Sequence, residues 1–185
     1  PNAMSERFRP FDPDNLPADA RAVYDRILAQ RGYVPGPFQF WLASPGFADR
    51  IEPVEEFLRH DVSLEERLVE ITVLVVAKHW RAQYVWTSHG PAAEKAGVAP
   101  AIVEAIRAGD VPVFHRDDEE ICYRFCVDMM AGQGVDDGLW DAAQAAFGET
   151  GINEFLGLLG LYTSVCQTMV AYRMPTKNGE PDPLS

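Results

Sequence analysis

Two residues near the middle of this chain have the types and surroundings of an acid–base pair. Glu70 is a lone carboxylate inside the apolar run Leu68–Ala77, where Thr72 is the only other polar side chain. A carboxylate buried without a partner is strongly disfavoured, so it must find a partner, raise its pKa, or both. His89 closes the stretch AQYVWTSH, with Val85 and Trp86 four and three residues before it on one helical face. Imidazole exchanges a proton near neutral pH, and a carboxylate beside it would hold it in one tautomer. Trp80, Gln83, Tyr84, Trp86, Thr87 and Ser88 all lie within ten residues of His89. Aromatic walls with a few polar tips compose a small-molecule pocket. They compose a core equally well when each polar end finds one hydrogen bond. The competing reading of Glu70 is an ion pair with Arg67, three residues earlier, and that of His89 is a structural imidazole.

These residues need helices to position them. Ser63 and Glu66 form an S-x-x-E pattern before the apolar run, which predicts a capping box and then a helix over Leu68–Ala77. That run is apolar almost all round, so its place is in the middle of a core. Ala82 to Ala96 reads as the next helix, stopped by Gly97, with Pro91 expected to kink or split it. Upstream, helices are predicted over 18–30 with Gly32 as the stop, over 38–43, and over 47–59 with Pro53 as an interruption. Downstream they are predicted over 100–109, 117–131 with a second capping box at Asp117, 136–147 up to Gly148, and 151–173. Nothing has the alternation of a strand. The fold class is therefore all-α, one multi-helix domain over 18–173, preceded by a turn-rich lead-in (1–17) and followed by a loose tail (174–185). Pro1 to Ala3 precede the first methionine and are expected to be a cloning remnant.

The chain has 28 acidic and 16 basic residues in 185, a net charge of −12. Such a surface repels phosphate backbones and anionic lipid, so neither nucleic acid nor membrane is an expected partner. No apolar run reaches the roughly 20 residues that span a bilayer, and no secretory signal is read at the start. Three cysteines make no disulfide framework, and their odd number fits a reducing cytoplasm. Cys122 and Cys126 share a helix face without disulfide geometry; both, and Cys166, read as small buried hydrophobes. His79 with Glu70 and His89 lacks the spacing of a ligand set, so no metal is expected. His60 and His115 read as non-participants.

With these residues in hand, the chain resembles the carboxymuconolactone decarboxylase family, which includes the alkylhydroperoxidase D-type proteins. The resemblance rests on SLEERLVEITVLVVAKHW, AQYVWTSH and PAAEKAGV, within about 48–109. The redox branch carries E-x11-C-x2-C-x3-H; here the glutamate is Glu70 and the histidine His89, but the cysteine places hold Ala82 and Val85. The resemblance implies an all-helical fold assembled as a trimer or hexamer, with Glu70 and His89 as a proton relay and Tyr84 as a further hydrogen-bond donor. Without thiols at 82 and 85, dithiol peroxidase chemistry lacks its nucleophile there.

Three functions remain. The first is a cofactor-free enzyme that decarboxylates or isomerises a small organic acid or lactone. Glu70, His89 and Tyr84 would be catalytic, and Trp80, Arg81, Gln83 and Trp86 would bind substrate, with Arg81 as the cationic anchor. The second is an alkylhydroperoxidase-type antioxidant drawing its thiol from Cys122, Cys126 or Cys166. The third is a non-catalytic ligand-binding oligomer. The leucines grouped in 155–170 exceed one face's worth of core, and surplus apolar surface of this kind marks a subunit contact; a homo-oligomer is expected.

Overall fold

The computed structural model describes residues 7–179 and 181–184, and among these every regular element is helical. The chain divides into two compact units, Pro1–Asp61 and Val62–Ser185. In the first, a 3₁₀ turn at Pro13–Asn15 is capped by Asp12, whose carboxylate accepts from the Asp14 backbone at 3.1 Å. Helix α1 (Ala18–Arg31) ends at Gly32 and is followed by the short α2 (Phe38–Trp41) and by α3 (Pro45–His60). Arg26 ties α1 to α3 through Asp49 and Glu52, each at 2.9 Å, and Arg31 does the same through Glu55 and Glu56. Trp41 packs edge-on against Phe38 and Phe47. Pro53 sits inside α3 without ending it.

The second unit is built around α4 (Glu66–Trp80), which packs against α5 (Gln83–Lys95), α6 (Pro100–Ala108), α7 (Asp117–Met130) and α8 (Asp137–Ala171). Every residue of α4 from Arg67 to Ala77 is buried, as an all-round apolar helix requires. The expected capping box at its start is not formed. Ser63 gives both its backbone N–H (2.9 Å) and its hydroxyl (2.6 Å) to the Glu154 carboxylate of α8. Glu154 is buried, so its oxygens draw donors more strongly than an exposed helix end does. The box expected at Asp117 is not formed either: Arg116 is the cap residue and makes no side-chain capping bond. Helix α5 runs unbroken through Pro91, where a split was one of two expectations. Helix α8 is interrupted at Gly148, at φ 65° and ψ 179°, where the sequence placed a stop. Of its grouped leucines, Leu158, Leu159 and Leu161 are buried by the chain itself and Leu156 is exposed.

Candidate acid–base site

The α4–α5 corner brings the two chemistry-bearing segments together. Helix α4 ends in a left-handed residue, Arg81 (φ 51°, ψ 40°), with Ala82 N–H donating to Ala77 O at 2.9 Å and Arg81 N–H to Lys78 O at 3.1 Å. This paired bonding reverses the chain and satisfies two terminal carbonyls of α4. Ala82 and Val85, both buried, then face inward at the start of α5.

One helical turn beyond Val85, His89 places Nδ1 2.8 Å from Glu70 Oε2. The Glu70 side chain is 1% exposed and that of His89 18% exposed, so the carboxylate is sealed in and the imidazole reaches toward solvent. With Glu70 ionised the carboxylate only accepts, which puts the hydrogen on Nδ1 and leaves Nε2 as the nitrogen able to exchange a proton. Arg67, the competing partner for Glu70, turns the other way and binds Asp118 and Glu119 of α7. The His89 ring meets the edge of Tyr162 on α8, centroids 5.3 Å apart and planes at 88°. Tyr162 was missed in the sequence. Its signal was the same as that of Glu70: a polar-tipped side chain inside an apolar helix.

The remaining candidates distribute around this pair. Tyr84 is half-buried; burial raises its phenol above the ordinary value, which keeps it protonated, and among the described residues its hydroxyl has no partner. Trp86 is buried, and the buried Nε1 of Trp80 has no hydrogen-bond partner among the described residues. Arg81 and Gln83 meet on the tail: Gln83 Oε1 accepts from Leu184 N–H at 2.9 Å and Arg81 Nη2 donates to Leu184 O at 3.4 Å. Arg107 adds a bond to Pro183 O at 2.9 Å, and Leu184 is 2% exposed. His60, His79 and His115 are exposed.

All three thiols are buried and free. Cys122 and Cys126 of α7 lie 3.6 and 3.5 Å from Thr72 Oγ1 of α4. Burial pushes the Cys122 thiol well above its ordinary value and Cys166 up to about 12. Neither would carry a useful thiolate fraction at neutral pH.

No protein-family model matches the chain, and no curated protein matches it. Solved structures do. An uncharacterized peroxidase-related protein from Silicibacter sp. TM1040 superposes with a TM-score of 0.71 at 15% identity, over 92% of this chain and 91% of that one. The debrominase Bmp8, solved as a cysteine-to-alanine variant in complex with 2,3,4-tribromopyrrole, superposes with a TM-score of 0.66 at 13% identity, over 90% of this chain and 88% of that one. At these identities the likeness is one of fold. The chain has the all-helical, alkylhydroperoxidase D-like fold that its sequence led us to expect.

Proposed function

We propose that this protein is a cofactor-free enzyme of the carboxymuconolactone decarboxylase and alkylhydroperoxidase D-like kind, which uses Glu70 and His89 to move a proton at carbon in a small organic acid or lactone. The observation that carries this reading is the 2.8 Å bond between a sealed carboxylate and an imidazole that still reaches solvent. Glu70 fixes the orientation of the ring through Nδ1, which leaves Nε2–H to serve as the acid. In a decarboxylation the carbon–carboxylate bond breaks, carbon dioxide leaves, and the electron pair remains as a dienolate. His89 Nε2–H protonates the carbon, and the imidazole recovers its proton from water. The Tyr84 phenol, kept neutral by burial, can donate to the developing oxyanion. Arg81 retains further guanidinium donors beyond its one bond to the tail, which suits a carboxylate anchor.

Thiol peroxidase activity is disfavoured by the raised pKa of Cys122 and Cys166 and by Ala82 and Val85 in the dithiol places. Reductive debromination meets the same obstacle, since replacing a carbon–bromine bond by carbon–hydrogen needs two electrons as well as a proton. The test is solvent exchange. A panel of unsaturated acids and lactones in heavy water, followed by NMR, should show deuterium entering at carbon. Glu70→Gln and His89→Gln should each slow it by about 10²–10⁴-fold, whereas replacing all three cysteines by serine should leave the rate per folded molecule unchanged. Exchange that survives His89→Gln, or peroxide reduction that disappears with the cysteines, would overturn the proposal.

A further inference from the structure

Helix α4 serves a second cavity on a different side from Glu70. Val75, Ile106, Val127 and Met130 line a cleft of about 170 Å³ between α4, α6 and α7, open to solvent on the side of His79 and Val127. Three polar groups complete it: Lys78, His79 and Tyr123. None of its lining residues is acidic, in a chain with 28 carboxylate side chains and a net charge of −12. Lys78 is held at its place rather than left to swing. Its ammonium donates to Arg107 O at 2.7 Å, at the end of α6, and its stem lies along Gly109. An ammonium has three donors, so two remain. The Tyr123 ring is fixed against Phe114, centroids 5.4 Å apart, and among the described residues its hydroxyl has no partner.

Size narrows the occupant. A closed apolar cavity of about 150 Å³ takes one benzene ring, so this open cleft has room to cover a single ring with a small substituent projecting toward Lys78. Methionine sulfur and a tyrosine ring favour an aromatic face over an aliphatic one. The spare Lys78 and Tyr123 donors favour an acceptor group with negative charge. We infer that the α4–α6–α7 cavity is a binding site for a monocyclic aromatic monoacid, its ring against Met130 and Val127 and its carboxylate on Lys78 and Tyr123. This site is independent of the Glu70–His89 reading and stands or falls without it.

Methionine methyl groups labelled with carbon-13 give a local reporter, because Met130 lines the cavity and Met169 lies in the core of α8. Titration with benzoate should shift the Met130 methyl saturably at millimolar concentration and leave Met169 in place. Toluene, the same ring without charge, should bind about tenfold more weakly, the worth of one charge-assisted hydrogen bond. Lys78→Met should erase that difference, and Glu70→Gln should change nothing. Val127→Phe, which fills the space, should abolish both responses; if its Met169 signal shows a disturbed core, Ile106→Phe replaces it as the filling variant. The inference is overturned if benzoate gives no saturable shift, if toluene binds the native protein as tightly as benzoate, or if the shift survives in a folded filling variant.

Discussion

Arg67 and Glu70 stand about one turn apart on α4, both buried, and they are balanced by different kinds of partner. Arg67 grips Asp118 through both guanidinium branches, at 3.1 and 2.5 Å, and approaches Glu119 and Glu65 at 3.4 and 3.2 Å. Its charge is permanent, so the cluster that joins α4 to α7 depends on pH only through its carboxylates. Glu70 meets the His89 imidazole on α5, a group able to exchange a proton. The first arrangement can hold helices together and nothing more. The second can hold helices together and also pass a proton.

Stability measurements should separate the two. Arg67→Ala leaves Glu119 buried, and Asp118 part-buried, without their cation; removing one partner from such a cluster costs about 3–5 kcal/mol, read as a lower urea midpoint. Replacing the cluster as a whole by apolar residues of similar volume should recover most of that loss, because no orphaned charge remains. Glu70→Gln keeps the shape and one hydrogen bond to His89, so it should cost only about 1 kcal/mol. A loss as large as that of Arg67→Ala would show that Glu70 is a structural anchor like its neighbour.

Acid titration sharpens the same contrast. The Arg67 hydrogen bond, opposed by burial, holds Asp118 below the ordinary aspartate value of 3.8. A carboxyl depressed in the folded state contributes stability that is fully present above the unfolded value and is lost as pH falls through the folded one. Stability of the native protein should therefore decline below about pH 4, and Asp118→Asn should flatten that limb while lowering stability at neutral pH. An unchanged acid limb in Asp118→Asn would remove this pair from the account.

What the sequence made legible was local. The apolar run of α4, the lone glutamate within it, the stops at Gly32, Gly97, Gly109 and Gly148, and the all-α class follow from periodicity and end signals that span one or two turns. What it hid were partners distant along the chain. Ser63 satisfies the capping pattern, yet Glu154 lies 91 residues away and takes both of its donors. Tyr162 reaches His89 from α8, and nothing in the spacing of either predicts the contact. The Pro-rich end, expected to be loose, presents the backbone of Leu184 to Arg81 and Gln83. A composition rich in proline and glycine disfavours helix; it does not forbid docking of an extended segment.

The smallest expected effect concerns the corner that joins α4 to α5. Helix α5 ends like α4, with the same two hydrogen bonds, but uses Gly97 (φ 101°) where α4 uses Arg81 (φ 51°). A left-handed backbone costs a non-glycine residue about 1 kcal/mol, and the structure offers a compensating reason for arginine: its bond to the Leu184 carbonyl. Arg81→Gly removes the strain and the tail contact together, while Arg81→Ala removes the contact and keeps the strain. The glycine variant should therefore be more stable to global unfolding than the alanine variant, by at most about 1 kcal/mol because glycine also loosens the unfolded chain. Both should expose the tail equally, read as faster tryptic cleavage after Lys177. If Arg81→Gly is instead less stable than Arg81→Ala, strain is not what distinguishes this corner; if cleavage is unchanged in both, Gln83 and Arg107 hold the tail without it.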